Sequence, residues 1–220
     1  FGQVLSLTEH LKELTRDELE ASVIVLADEN LLYPFIEHLP SLPVNVNVAM
    51  GMSLRHTAVF KALVSIINMH VSASRKSDPT FYYADVIELI LQPALFPLIG
   101  DDAKVIRDRI ISGRRITIRP AEWKSLCNGL SHLEDLNFLF DEVITSTQGI
   151  VIRMKKLCTM LLDSGDNDAI AEEGIMRMSG ILDQLELNVR NKEYLQNITS
   201  AEVLFHQLVS SETMSFEGEA

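Results

Sequence analysis

The chain has 220 residues, 47% of them hydrophobic and 23% charged. That is the composition of a globular protein with a core to bury, and it excludes the disordered and collagen-like classes. A formal charge of −12 argues against a surface that coats nucleic acid, because phosphate binding needs a positive footprint, although a local one remains open.

The longest apolar stretch, residues 143–162, contains Arg153, Lys155 and Lys156. Charges at that depth in a bilayer cost several kcal/mol, so the stretch reads as a buried helix and no membrane contact is expected. Phe1 follows no initiator Met, and no basic region with an apolar run marks a signal peptide. The start is expected to be a domain boundary. Cys127 and Cys158 cannot build a disulfide framework, and buried thiols in a reducing cytoplasm are the default reading.

From the amino terminus, Leu11, Leu14 and Leu19 predict a helix over Thr8–Leu19 with Thr8 as its N-cap. Ser22–Ala27 (SVIVLA) is a short continuous β-branched run, the pattern of a strand covered on both faces in a parallel sheet. A short helix over Asn30–Leu39 follows, closed by Pro40 and Pro43, and Val44–Ala49 (VNVNVA) reads as a second strand. Met50 to Ser53 is expected to turn, and Thr57–Ala73 to form a strongly apolar helix. This strand–helix–strand–helix order implies parallel pairing. Two strands make no stable sheet alone, so the rest of the sheet is expected from elsewhere, beyond Ala220.

After the polar residues 72–79 the texture turns helical. Helices are expected over Tyr83–Gln92 (stopped by Pro93), Asp101–Ser112, Ala121–Asn128, Leu133–Asp163, Asp168–Val189 and Thr199–Leu208, with Gly165 and Asp166 breaking the two longest. Only Arg115–Arg119 (RITIR) reads as extended. The expected organisation is an α/β lobe over 1–76, a helical domain over 77–210 and a return to the lobe over 211–220.

The candidate chemistry consists of near-matches. Val23–Glu29 (VIVLADE) has the outline of a Walker B strand delivering Asp28 and Glu29, but no Gly-Lys dipeptide exists to form a phosphate loop. Acids after an apolar run also suit a helix N-terminus. Gly100-Asp101 with Glu122-Trp123-Lys124 imitates the metal-and-lysine spacing of a nuclease core, yet Pro120 points to a helix start there. The six histidines have no ligand spacing, and no nucleophile elbow is present, so no catalytic or metal-binding residue is assigned. Lys104, Arg107, Arg109, Arg114, Arg115, Arg119 and Lys124 form a basic run that is either a solvated face or a phosphate contact. Phe81-Tyr82-Tyr83 could stack bases or anchor a helix against a neighbouring domain.

Several phrases together resemble one family. VIVLADENLLYPFIEHLP (Val23–Pro40), VNVAMGMSLRHTAVFKAL (Val46–Leu63), FYYAD (Phe81–Asp85) and SFEGEA (Ser215–Ala220) are similar to the middle of large Bacteroidetes proteins of the PD-(D/E)XK nuclease family. These are relatives of the AddB/RexB recombination-nuclease subunits. The resemblance implies the start of a second RecA-like lobe with a partial parallel sheet of two strands. A mostly helical insertion domain is spliced into it, and the chain returns to the lobe near the last phrase. It also implies a non-catalytic, helicase-like piece of a DNA repair exonuclease, acting as a DNA-handling or subunit-docking scaffold. The implied partners are DNA and a helicase or nuclease subunit. The nuclease residues and their divalent metal would belong to the longer parent, with no cofactor in this piece. The Val44–Leu63 stretch also resembles the strand, turn and helix before the insertion of UvrD-type helicases, by which Gly51, Ser53 and Arg55 would lie near nucleic acid or the lobe interface. Arg114, Arg115 and Arg119 are the further candidate contacts. The contrasting expectation is an acidic, helical protein-interaction module unrelated to nucleic acid.

Overall fold

A computed structural model describes residues 2–28, 31–39, 44, 46, 52–165, 168–190, 192–210 and 212–214. By its contacts the chain divides into two units. Unit 1 is residues 1–56 with 213–220, and unit 2 is residues 57–212. The helical unit is therefore inserted in the chain of the smaller one. The expected boundary at residues 76/77 falls inside unit 2, just after its first helix.

Unit 1 begins with α1 (Gly2–Glu13), α2 (Arg16–Glu20) and α3 (Leu32–Glu37). The single helix expected over Thr8–Leu19 is thus two. Thr15 and Glu18 explain the break: the Thr15 hydroxyl accepts from Glu18 N–H at 3.4 Å, and the Glu18 carboxylate accepts from Thr15 N–H at 2.8 Å. This reciprocal cap satisfies donors that would otherwise be orphaned, so a new helix starts at Arg16. Val4, Leu11, Leu19 and Phe35 form the core, with Leu7, Leu14, Leu31, Leu39 and Val44 packed against it.

The expected strand at Ser22–Ala27 is not formed. Residues 22–26 belong to no strand, and Val23 and Val25 are 87% and 84% exposed. A β-branched run becomes a strand only when a neighbour supplies its hydrogen bonds and covers its faces, and none does so among the described residues. Of the second expected strand, Val44 and Val46 are described and are not in a strand, and the remainder lies outside the described residues. The expected turn at 50–53 ends in a strand instead. In this pair β1 (Met52–Ser53) is antiparallel to β4 (Thr213–Met214), with Met52 opposite Met214 and Ser53 opposite Thr213. No parallel pair occurs among the described residues.

Unit 2 is almost entirely helical: α4 (Ala58–Ser74), α5 (Tyr83–Ile90), α6 (Phe96–Ile99), α7 (Asp102–Ser112), α8 (Pro120–Leu126), α9 (Ser131–Glu134), α10 (Thr147–Asp163), α11 (Ala169–Val189) and α12 (Ile198–Ser210). A second antiparallel pair joins β2 (Phe81–Tyr82) to β3 (Thr117–Ile118). The centre is α4, capped by the Thr57 hydroxyl and buried from Val59 to Ala73 with few gaps. It packs against α5, α10, α11, α12 and β2. A helix apolar all round can only be a core helix. The expected single helix over Leu133–Asp163 is broken. After α9 comes a 3₁₀ turn at Asn137–Leu139 and a loop, before Ser146 caps α10 through Gly149 N–H at 3.1 Å.

Polar side chains anchor that loop. Arg153, 13% exposed, donates to the Phe138 carbonyl at 2.6 Å and pairs with Asp141 and Glu142 at 2.9 Å each. Lys156 lies 4.1 Å above the Phe138 ring, and Lys155 bridges Asp183 and Glu186. The charges in the long apolar stretch are thus all answered locally. No helix among the described residues is long and apolar enough to cross a membrane. The buried Thr147 hydroxyl shares its proton between the carbonyls of Leu195 and Asn197, at 2.6 and 2.8 Å.

His70 on α4 is fully buried. Its Nδ1 accepts from Ile144 N–H at 3.1 Å, and its ring meets Phe81 edge-on at 5.3 Å. Burial first, and then the nearby Arg153 guanidinium, push its pKa down to about 4. The folded protein therefore holds His70 neutral, whereas the unfolded chain takes up a proton near pH 6.5. The resulting stability is present above pH 6.5 and is lost as pH falls toward 4, by about 3 kcal/mol at most. We expect the urea midpoint to fall over that interval, and His70→Gln to remove that part of the pH dependence. An unchanged slope in the variant would assign the acid sensitivity elsewhere. A second expectation concerns Gly149. A Cβ there would lie 2.9 Å from both Ile144 Cγ2 and Ser146 Oγ. Gly149→Ala, which stabilises an ordinary helix, should lower stability here by about 1 kcal/mol or more, measured by chemical denaturation.

Candidate functional site

The basic run covers α7, β3 and α8, and the fold assigns partners to most of it. Lys104 pairs with Asp101 at 2.8 Å and Arg107 with Asp108 at 2.8 Å. Arg109 donates to the carbonyls of Leu126 and Asn128, at 2.6 and 2.9 Å, and so ties the end of α8 to α7. Arg115 pairs with Glu122 at 3.2 Å, and Arg119 with Asp78 at 3.2 Å. Each pair answers a positive charge that a phosphate would need, so the run is mainly a self-neutralised face. Arg114 and Lys124 have no partner among the described residues.

Arg114 occupies an unusual backbone position. It sits at φ 49°, in the left-handed region, while Gly113 before it has an ordinary φ of −71°. Arg115 N–H reaches the Ile110 carbonyl at 3.3 Å and Arg114 N–H the Ile111 carbonyl at 3.0 Å. This is the paired bonding of a Schellman end, in which the left-handed position usually holds glycine.

The other candidate contacts belong to unit 1, whereas Arg114, Arg115 and Arg119 belong to unit 2. Ser53 stands on β1, where its hydroxyl accepts from Arg55 N–H at 3.4 Å, and Arg55 is exposed in the 3₁₀ turn Leu54–His56. Gly51 and Glu29 lie outside the described residues, as does the phrase Ser215–Ala220.

Glu122-Trp123-Lys124 is helical, as Pro120 predicts. The Glu122 carboxylate accepts from Arg119 N–H at 2.9 Å and so caps α8 while pairing with Arg115. With its oxygens occupied this way it does not fit a metal ligand, and among the described residues no group of three His, Cys, Asp or Glu could hold an ion. Burial pushes the thiols of Cys127 and Cys158 up to about 12 and about 11, which leaves both poorly nucleophilic near neutral pH.

What the triplet does build is a cleft. Asp78, Arg119, Trp123, Lys124, Asn137 and Asp141, with Pro79 and Pro120, line a space of about 630 Å³. Trp123 is 1% exposed and stacks on Phe140 at 3.7 Å, continuing a line of rings through Phe81 to His70. Its indole Nε1 is buried without a hydrogen-bond partner among the described residues, and so is Asn137 Oδ1. An unpaired buried donor or acceptor costs roughly 1–3 kcal/mol, so two in one cleft call for an account. Asn137 and Asp141 were not among the sequence candidates, because their segment reads as the middle of a long helix. A smaller space of about 150 Å³ lies at the start of α10, between Thr147, Val151, Glu186 and Arg190. There the polar groups Thr147 and Glu186 already have partners.

Compared with known protein families, curated proteins and solved structures, the chain shows no match.

The strained arginine yields a direct expectation. Arg114→Gly should raise stability by about 0.5–1 kcal/mol, measured by thermal or urea unfolding, because glycine adopts the left-handed conformation without a Cβ penalty. Unchanged or lowered stability would mean that the arginine side chain makes a compensating contact.

Proposed function

We propose that the chain is the non-catalytic, helicase-like middle of a DNA repair and recombination exonuclease, and that its helical unit is a scaffold for docking a partner subunit. The observation that carries this reading is the insertion itself. The chain leaves unit 1 after β1, builds a helical unit from Thr57 to Glu212, and returns through β4 to pair with the strand it left. An interrupted lobe with a helical insert is the order that the family phrases imply. In this reading unit 1 has a RecA-like origin, and Val23 and Val25, exposed and in no strand, are residues that a parallel sheet would cover. Metal-dependent cleavage would belong to other parts of the parent.

Between DNA handling and subunit docking, the ion pairs favour docking. Arg115 and Arg119 face Glu122 and Asp78, so a phosphate would first have to displace a carboxylate from each. The same pairs also favour the second reading, an interaction module outside nucleic-acid metabolism.

A titration of forked DNA against the whole chain at several salt concentrations tests the assignment. Docking predicts weak binding, with a slope of about one or two released counterions and little change in an Arg114→Ala/Arg115→Ala variant. A steep slope that the double variant flattens would restore DNA contact as the main role. In the nuclease context, the longer parent should cut DNA with a divalent metal and the 220-residue chain should not. Cleavage by the chain itself, abolished by Glu122→Ala, would overturn the scaffold reading.

A further inference from the structure

We propose that the cleft between α8 and the Asn137–Leu139 turn binds an extended peptide segment carrying a carboxylate, with Trp123 and Asn137 taking its backbone and Lys124 its acid group. The inference names the contact through which the docking scaffold would hold its partner, and it rests on that reading for the partner's role.

The two orphaned atoms are of opposite kinds. The indole Nε1–H of Trp123 can only donate, and Asn137 Oδ1 can only accept. A peptide group offers the matching pair, a carbonyl for the first and an N–H for the second. A free carboxylate or phosphate would leave the acceptor unanswered, and an amine would leave the donor unanswered. The space of about 630 Å³ fits a short stretch of chain, and the walls of Pro79, Pro120 and Ala121 suit its apolar parts.

Charge adds the acid group. Around the cleft Arg119 is held by Asp78, and Asp141 by Arg153. Lys124 is exposed and has no partner among the described residues. It is the cation free to meet a carboxylate on the incoming chain. A nucleic-acid strand fits less well, because base stacking needs an open aromatic face. Trp123 is 1% exposed and already stacked on Phe140.

Trp123 is the chain's single tryptophan, so the ¹⁵N-labelled protein has one indole N–H resonance, which reports this cleft alone. The test selects 12-residue peptides from a displayed random library on the whole chain and then titrates the winners by NMR. The expected result is enrichment of peptides containing Asp or Glu that shift the indole resonance. Replacing that acid with its amide, or Lys124 with alanine, should weaken binding about fivefold. Asn137→Ala should weaken it as well with an unchanged circular dichroism spectrum, while Lys104→Ala should have no effect. Several results would overturn the proposal: no enriched peptide, winners without an acid, binding that leaves the indole resonance still, or a single-stranded oligonucleotide shifting it at lower concentration. Such a failure leaves the DNA titration above unaffected, so the cleft and the scaffold reading fail separately.

Discussion

The architecture of unit 2 depends on one constraint: α4 is apolar on nearly every side and must be covered on nearly every side. No single partner helix can do that. α5, α10, α11, α12 and the β2 strand each take a sector of its surface, and Phe60 stacks on Phe205 of α12 at 5.8 Å. His70, a fully buried polar group on α4, is tolerated because it is neutral and because it accepts the Ile144 amide. That bond fixes the loop before α10, which Arg153 also holds through Asp141 and Glu142. Through Phe81 and Phe140 the same region leads to Trp123. The cleft is thus supported by the central helix rather than by its own short elements.

Much of this was legible in the sequence, where local pattern and tertiary demand agree. The apolar run of α4, the Asp168 start of α11 and the extended Thr117–Ile118 pair follow from periodicity and caps. The long helix expected over 133–163 failed for a specific reason. Leu133, Leu136 and Leu139 are spaced by three, and all are buried. That spacing suits a stack of tight turns as well as one face of a helix. The amino-terminal strands failed differently. Val23–Leu26 has the right residues for a strand, but strand formation depends on a neighbour, and propensity contains no information about one.

The site was less legible than the fold. The arginine run is visible as a count of charges, yet its meaning lies in the carboxylates opposite. Asp78 stands 41 positions from Arg119, a separation that the neighbouring β2–β3 pairing bridges. The Glu-Trp-Lys triplet imitates a metal-and-lysine spacing, although Pro120 before it points to a helix start. The fold instead uses the acid as a helix cap and puts the tryptophan between them at the centre. Asn137 carried no signal at all, because an isolated asparagine inside an apparent helix has many ordinary explanations.

The pairing of Ser53 with Thr213 has a consequence for the order of assembly. Joining those residues closes a loop of about 160 positions, and chain entropy makes such a closure cost roughly 4–5 kcal/mol before any constant term. The two residue pairs of antiparallel ladder among the described residues do not by themselves offset that in an unfolded chain. The pairing therefore waits until the helical insert has collapsed and brought its own ends together. The small unit then completes itself last, and any ligand or partner that steadies the insert also favours the pairing of the two strands that precede and follow it in the chain.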